Sequence, residues 1–477
     1  MTHTASFEDR ARASIIGAAP RTASLPLGPV IFLSLLAVCL ISLPNLLDPM
    51  IRHDDYPALL GHPELFWDKT LHEGRWLNYI WHLRGVVTPA WLNFAVYQAL
   101  WAVLAASLAV AAMGHDKRSW FVTLLTLFIL VSSPATLISL WFNTLISGLA
   151  VVALYAVLGC TLPQRTHRAL LPVFVVVSFW AYTTYPLILL TICLLRTEKR
   201  SFRDLFGLMT LFVFSFALAI LLTYTINWQV HGIFGVPLDD WREATPATGI
   251  AGLIDNLPVL LATFKALMVN GSYNFVPAAY FHVGLLIAAT LVLIRLAPRE
   301  ALYLHAGLIA SLGLTILQVL KLGAIAPPRA FIYAWIFYAV IVVRAAALLS
   351  DQPGLAGRIA RNLALLVVLS YLLQTFSQYS IYRPWQAETR AMADVIRNHD
   401  GPVLVYGNVL TLNSARGAHV QYDTALDSRM IQLTGKGVTL CDHKPDLCAT
   451  QAASGNAMRI EVLTLGDVVQ LGPAQNR

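Results

Sequence analysis

Charged side chains are scarce in this sequence. Of its 477 residues, 12% are Asp, Glu, Lys or Arg and 57% are hydrophobic. A soluble chain carries about 25% charged residues, so a shortage on this scale excludes an ordinary soluble domain and indicates a membrane protein. The net charge of +7 does not indicate a nucleic-acid partner, because the basic residues fall mainly in short loops between apolar runs, where membrane topology accounts for them.

Other absences narrow the class further. The sequence has no internal repeat, and Gly435-Lys-Gly437 lacks the spacing of a phosphate-binding Walker loop, which argues against ATP use. No small-residue cleavage site leads from the basic N-terminal segment into a soluble domain. The first apolar run is therefore interpreted as an uncleaved membrane span.

Only five cysteines are present. Three lie in apolar runs and are expected to be buried hydrophobic residues, namely Cys39, Cys160 and Cys193. The other two frame the segment Cys441-Asp-His-Lys-Pro-Asp-Leu-Cys448. One interpretation is a zinc site with His443 as a third ligand, but no second ligand pair follows. A disulfide between Cys441 and Cys448 is favoured, provided that this end of the chain lies outside the cytoplasm.

Eleven apolar runs are predicted to be membrane-spanning helices, because about 20 apolar residues cross a bilayer. They are Val30–Leu47, Pro89–Met113, Trp120–Ser133, Leu137–Leu162, Ala169–Trp180, Tyr185–Leu195, Leu205–Ile226, Tyr280–Leu296, Ala301–Val319, Ala330–Leu349 and Leu363–Phe376. The segment Ala169–Leu195 is treated as a hairpin broken near Pro186, because basic residues flank it on both sides. A single span there would place one basic flank outside, against the positive-inside rule.

These spans predict three parts: a cytoplasmic N-terminal tail at residues 1–29, a transmembrane domain at 30–376 and a periplasmic domain at 377–477. The basic loops then fall inside the cell, whereas the outer loops 48–88 and 227–279 fall outside, together with the cysteine pair. The expected location is a bacterial inner membrane.

The C-terminal tail differs in pattern from the apolar runs before it. Helical spacing at Trp385–His399 predicts a helix, and the segments Pro402–Tyr406 and Arg459–Leu465 are predicted to be strands. We therefore expect a small α/β domain, of roughly the size of a minimal folding unit, acting as a scaffold or lid for a membrane site.

The densest cluster of charged and aromatic residues follows the first span. Asp54 and Asp55 lie between His53 and Tyr56, and Gly74-Arg75-Trp76 comes later in the same loop. One interpretation is that the acid pair caps a following helix. The charged and aromatic neighbours favour a functional site. A carboxylate with Arg75 nearby would suit sugar transfer from a lipid phosphate. That reaction needs a base for the acceptor hydroxyl and a cation for the leaving phosphate.

Two roles are open for the acid pair. Adjacent acids can hold a divalent cation, such as magnesium or manganese. Adjacent side chains also point apart, so one catalytic base and one supporting group is an equal alternative for Asp54 and Asp55.

A second cluster lies in the loop Lys321-Leu-Gly-Ala-Ile-Ala-Pro-Pro-Arg329, where two prolines stiffen the chain. Arg329 is interpreted either as a clamp for the donor phosphate, with Lys321 and Arg75, or as a snorkelling residue at the membrane surface. The candidate substrate-binding residues are His53, Tyr56, Trp76, Tyr182 and Tyr185. Further candidate sugar contacts are Asp239, Asp240, Trp241, Arg242, Asp255 and Asn270–Asn274.

The acid pair after a first span, then Gly74-Arg75-Trp76, then many spans with a late Pro328-Arg329, resembles the bacterial O-antigen glucosyltransferases of serotype conversion. These belong to the class C glycosyltransferases, and the resemblance is concentrated in residues 30–90. It implies that fold, a periplasmic active site, a polyprenyl-phosphate sugar donor and a first-loop carboxylate as base. Carried over, that base is Asp54 or Asp55.

The expected function is therefore transfer of a hexose, glucose by resemblance, from a polyprenyl phosphate to an extracytoplasmic glycan, with inversion. The expected partners are the lipid-linked donor, the glycan acceptor and membrane lipid. A flippase or transporter of a lipid-linked saccharide is the alternative from another class, but it would place charges near the membrane midplane and often shows repeats. An O-antigen polymerase or ligase would work from a large outer loop instead.

Overall fold

The computed structural model describes residues 26–113, 119–239, 242–465 and 467–473. The predicted N-terminal tail therefore lies almost wholly outside the described residues, as do Asp240 and Trp241. The described chain forms a bundle of apolar helices followed by a small domain with a four-stranded sheet.

The helices of the bundle and its loops are numbered in chain order. They are α1 (Leu27–Leu46), α2 (Tyr56–Leu60), α3 (Asp68–Glu73), α4 (Trp76–His82), α5 (Ala90–Met113), α6 (Ser119–Leu130), α7 (Ser133–Ile138), α8 (Phe142–Thr161), α9 (Gln164–Ala169), α10 (Leu171–Phe179), α11 (Tyr185–Leu195), α12 (Phe202–His231), α13 (Ile250–Asp255), α14 (Leu257–Gly271), α15 (Val276–Leu296), α16 (Pro298–Leu322), α17 (Ile332–Ser350) and α18 (Ala356–Ser380).

Nine helical segments of the described chain are long and apolar enough to cross a membrane. They are Leu27–Leu46, Ala90–Met113, Ser133–Thr161, Phe202–His231, Ile250–Gly271, Val276–Leu296, Pro298–Leu322, Pro328–Ser350 and Ala356–Arg397. The protein is therefore a polytopic helical membrane protein, as its composition predicted.

Three of the predicted spans are shorter than a full crossing. Helices α6, α10 and α11 have 12, 9 and 11 residues, or about 14–18 Å at 1.5 Å per residue, against a hydrocarbon core of about 30 Å. All eleven residues of α11 are buried. The apolar composition of α11 thus reflects packing inside the protein, which the sequence pattern does not distinguish from contact with lipid.

The region 227–279, predicted to be one long outer loop, contains a further apolar helical segment, Ile250–Gly271. It runs across one end of the bundle. Asn256 Nδ2 donates to the carbonyl of Leu320 (2.9 Å) near its start. Ser133 Oγ donates to the carbonyl of Asn270 (2.9 Å) near its finish.

Helix α12 reaches beyond the apolar layer at that same end. It begins where Ser201 Oγ accepts a hydrogen bond from the N–H of Asp204 and stops at Gly232, which has a φ of 73°. Its 30 residues measure about 45 Å, roughly 15 Å more than the hydrocarbon core. Its last turn, with His231, packs against Trp67 of the first loop, with ring centroids 4.8 Å apart.

The C-terminal domain contains helices α19 (Arg383–Arg397), α20 (Asn413–Gly417), α21 (Thr424–Thr434) and α22 (Pro445–Ala452). Its sheet has the order β2-β1-β3-β4, with strands β1 (Val403–Tyr406), β2 (Thr439–Leu440), β3 (Met458–Leu465) and β4 (Val468–Pro473). Strand β1 pairs in parallel with β2 and β3, and β4 runs antiparallel to β3. The predicted helix and both predicted strands of this domain are confirmed.

This domain docks on the loop that follows α1. The carboxylate of Asp48 accepts from Arg429 at 2.6 Å and lies 2.9 Å from Nε of Arg390. Gln386 Nε2 donates to Oδ1 of the buried Asn45 at 3.0 Å. The first loop and the C-terminal domain therefore share one end of the bundle, here called the site end.

The opposite end is held by ion pairs between helix termini. Arg168 contacts Asp204 at 2.6 Å, and Glu300 contacts Arg344 at 2.7 Å and Arg200 at 3.3 Å. These pairs fix the starts of α12 and α16 relative to their neighbours.

Cys441 and Cys448 form a disulfide, so their sulfurs do not form a zinc site with His443. His443 instead contacts the carboxylate of Asp423.

We expect this disulfide to appear as a change in thiol count. Alkylation of the denatured, unreduced protein with a maleimide polymer should add three polymers, because Cys39, Cys160 and Cys193 are free. Prior reduction should raise the number to five, the total in the sequence. Cys441→Ser should give four polymers with or without reductant. Five polymers on unreduced wild-type protein would contradict the disulfide.

Candidate functional site

The loop between α1 and α5 folds into short helices that cover the site end. Gly74 ends α3 in the left-handed region, with a φ of 66°, a conformation that favours glycine. A Cβ at this position would lie 2.8 Å from Cγ2 of Thr223. The glycine of the Gly-Arg-Trp motif thus allows the chain to turn tightly against α12 and carries Arg75 back towards the acid pair.

Asp55 serves as a cap for α8. Its carboxyl group accepts from the N–H of Thr144 (2.8 Å), from the N–H of Asn143 (3.3 Å) and from the Thr144 hydroxyl. The residue is fully buried, and burial raises the pKa of Asp55 to about 8. A buried carboxyl group with these partners is not available to an acceptor hydroxyl. Asp55 does not cap α2, the helix that follows it, because its side chain makes no capping hydrogen bond there; it caps the distant α8 instead.

Asp54 faces the other way. Its side chain is 12% exposed and lies 3.0 Å from Nε2 of His53 and 3.1 Å from Nζ of Lys69. Burial acts to raise the pKa of Asp54, but the hydrogen bond from His53 and the positive charges of Lys69 and Arg75 hold it well below its usual range. Asp54 is therefore ionised at neutral pH and, unlike Asp55, reachable from outside.

Glu73 gathers three cations next to Asp54. Its carboxylate lies 2.9 Å from Lys69 Nζ, 2.5 Å from Arg75 Nη2 and 3.1 Å from Arg242 Nη2, and its side chain is almost fully buried. Lys69 also contacts Asp54, so Glu73, Asp54 and the three cations form one connected network.

Several of the predicted substrate-binding residues line or support this cluster. The Arg75 guanidinium lies 5.5 Å from the ring centroid of Tyr182, whose ring is 5.4 Å from that of Tyr185. Trp76 is buried and donates from Nε1 to Oδ1 of Asn227 (2.9 Å). Trp76 therefore anchors the loop to α12, rather than presenting its ring to a ligand.

A second cationic cluster surrounds Trp141, the residue before α8. The Arg329 guanidinium lies 4.1 Å from a Trp141 ring centroid, and that of Arg52 lies 5.9 Å from one. Among the described residues, no carboxylate lies within ion-pair distance of either arginine. Arg52 is mostly buried and donates instead to the carbonyls of Ala418 (3.4 Å) and His419. Two arginines without a carboxylate partner among the described residues thus lie together, and one of them, Arg52, stands two positions before Asp54 in the sequence.

The two arginines expected to clamp the donor phosphate have different neighbours. Arg329 contacts Trp141 and lies near Arg52, whereas Arg75 contacts Glu73. Lys321 lies at the same end of the bundle, where its Nζ donates to the carbonyl of Ala247 (2.6 Å). Its ammonium group therefore tethers the 232–249 loop.

The C-terminal domain forms a roof over the first loop. The ring of Tyr422 lies edge-on to His53, with centroids 4.8 Å apart, and the hydroxyl of Tyr56 donates to the carbonyl of Ala425 (3.5 Å). Tyr56 is buried, whereas the His53 side chain is 37% exposed. His53 is therefore the predicted substrate contact that remains most accessible beside Asp54.

Sequence reasoning missed Arg52 and Lys69. Lys69 carries a local signal, since Lys69 and Glu73 are four residues apart on one helix face. Arg52 stands two positions before the acid pair. It was missed because it forms a cationic cluster only together with Arg329, which is distant in sequence. Asp54 and Asp55, considered together as ligands of a divalent cation, contact different partners. Asp54 contacts Lys69, and Asp55 accepts a hydrogen bond from Thr144.

No model of a known protein family matches this chain, and no curated protein matches its sequence.

The Asp55 cap gives a stability prediction. Asp55→Ala should lower the melting temperature in detergent, because loss of a helix cap costs about 1–2 kcal/mol and leaves the buried N–H groups of Asn143 and Thr144 without acceptors. Asp55→Asn keeps a neutral acceptor and should melt close to wild type. Asp54→Ala is the control and should change little, because Lys69 keeps Glu73 as its partner. An Asp55→Ala protein with an unchanged melting temperature would contradict the capping role.

Proposed function

We propose that this protein is a membrane glycosyltransferase that moves a hexose, glucose by resemblance, from a polyprenyl phosphate to an extracytoplasmic glycan such as O-antigen. The observation that carries the proposal is the position of Asp54. It is an ionised, reachable carboxylate at one end of a membrane bundle, two residues from Arg52 and adjacent to the helix-capping Asp55.

The proposed reaction is a single displacement. Asp54 takes the proton of the acceptor hydroxyl, whose oxygen bonds to the anomeric carbon as the bond from that carbon to the phosphate oxygen breaks. The electron pair of the broken bond stays on the leaving polyprenyl phosphate. Arg52 and Arg329 stabilise this negative charge, since guanidinium groups bind phosphate oxygens in a planar, bidentate manner. One displacement inverts the anomeric configuration.

The two cationic clusters have different parts in this proposal. Arg52 and Arg329 have no acidic partner among the described residues and are the better match for a phosphate. Lys69, Arg75 and Arg242 are largely neutralised by Asp54 and Glu73, so they set the position and charge of the base.

Eleven membrane passes are part of the proposal. Segment Ile250–Gly271 contacts Leu320 near its start, Ala326 in its middle and Ser133 near its finish, which supports its lying along the site end without adding a pass. Helices α6, α10 and α11 are then short passes through the protein interior. Basic residues at the opposite end, including Arg168 and Arg200, favour placing that end in the cytoplasm.

With that orientation, the site end and the C-terminal domain lie in the periplasm and the N-terminus in the cytoplasm of a bacterial inner membrane. The Cys441–Cys448 disulfide supports this placement, because structural disulfides persist mainly in oxidising compartments.

The base assignment separates the two aspartates. Asp54→Asn should lower the transfer rate by about 10²–10⁴-fold, as expected for loss of a general base, whereas Asp55→Asn should stay within a few-fold of wild type. The measurement is mass spectrometry of surface glycans from cells that express each variant, compared with wild-type and deletion strains. Wild-type transfer by Asp54→Asn at normal expression would refute the assignment. Identical glycans in the deletion and wild-type strains would refute the function itself.

The proposed phosphate contact of Arg329 is tested by a substitution that keeps the positive charge of the side chain and removes its planar guanidinium group. Arg329→Lys should lower transfer by about 10- to 100-fold, because hydrogen bonds to charged groups contribute about 1.5–3 kcal/mol each and lysine lacks the planar fork. Arg383→Lys is the matched control, an exposed arginine at the same end of the bundle. Equal, near wild-type rates for both variants would identify Arg329 as a membrane-surface anchor instead.

A further inference from the structure

We propose that Asp68, His72 and Asp239 bind one divalent transition-metal ion at the edge of the site end. This site is separate from the transfer chemistry and does not depend on the proposed function. Among the described residues, these three bring one potential ligand atom each within 4.8 Å of one another.

The ligands come from two separate segments. Asp68 and His72 stand four residues apart on one face of α3, with 3.5 Å between Asp68 Oδ1 and His72 Nε2. Asp239 comes from the loop after α12, and its Oδ1 lies 3.2 Å from His72 Nδ1. An ion bound here would join the first outer loop to the second.

The spacings suit a metal centre. Nitrogen and oxygen ligands bind zinc at about 2.0–2.2 Å, so neighbouring ligand atoms around one ion lie about 3.0–3.5 Å apart. The spacing of 3.5 Å between Asp68 Oδ1 and His72 Nε2 is of this size. These two residues therefore already stand at metal-ligand spacing, and one potential ligand atom from each of the three residues lies within 4.8 Å of the others.

The orientation of His72 is also suitable. Its Nδ1 lies 3.2 Å from the carbonyl oxygen of Pro237, and a carbonyl accepts only from a protonated ring nitrogen. This contact favours the tautomer in which Nε2 is the free ligand, the arrangement in which a second group holds a metal-binding histidine in place. Nε2 is the nitrogen that faces Asp68.

Access favours an ion at this position. The Asp68 side chain is 78% exposed, which leaves an entry path and positions for water ligands. One imidazole and two carboxylates suit zinc or manganese better than magnesium, which prefers oxygen ligands alone.

The ion would also steady part of the proposed site. Arg242 follows Asp239 by three residues and contacts Glu73, the last residue of α3. A metal bridge between Asp239 and α3 therefore fixes both partners of that ion pair. Its loss should loosen the Arg242 contact without removing any group assigned to the transfer step.

The test is direct metal binding to the untagged full chain in lipid nanodiscs, after removal of metals with a chelator. Titration with Mn²⁺, followed by the electron paramagnetic resonance signal of free Mn²⁺, should show one saturable site. His72→Gln should weaken binding at least tenfold. His443→Gln is the matched control, since His443 also contacts an aspartate but has no third ligand nearby among the described residues.

If His72→Gln melts at a lower temperature than the metal-free wild type, the double variant Asp68→Asn, Asp239→Asn replaces it as the test protein. Equal affinity in wild type and in a folded variant of the triad, or no saturable binding by the wild type, would overturn the metal site.

Discussion

The hydrogen bonds from Thr144 and Asn143 to Asp55 fix the geometry of the whole site. They tie the loop between α1 and α5 to the start of α8, so the neighbouring Asp54 is turned towards Lys69 and His53. The same tie places the loop beside Trp141, the ring shared by Arg52 and Arg329. A single capped helix end thus sets the distance between the carboxylate and both groups of cations.

The sequence predicted the membrane class and the strands of the C-terminal domain because both depend on local patterns. Apolar composition decides the first, and strand-forming segments separated by turns decide the second. The lengths of the short helices α10 and α11 were harder to predict, since a helix packed inside the protein and a helix facing lipid can be equally apolar. The segment Ile250–Gly271 shows the opposite error: it was predicted to be part of a loop, but it is an apolar helix that lies along one end of the bundle.

The candidate site also combines features that depend on local sequence with features that depend on packing between distant segments. The acid pair, Arg75 and Arg329 were found from local composition, and the structure places all of them at one end of the bundle. The different environments of Asp54 and Asp55 depend on α8, whose Thr144 lies 89 positions after Asp55 in the sequence. No local pattern carries that information, because the side chain that becomes buried is decided by packing between distant segments.

The contact between Arg52 and the C-terminal domain has a consequence for biosynthesis. The carbonyl groups that hold this guanidinium belong to residues 366 and 367 positions later in the chain. While the ribosome is still making the last membrane helices, Arg52 therefore has none of these partners. A chain that stops before Ala418 lacks both carbonyl groups, so its Arg52 is left without these two backbone hydrogen bonds.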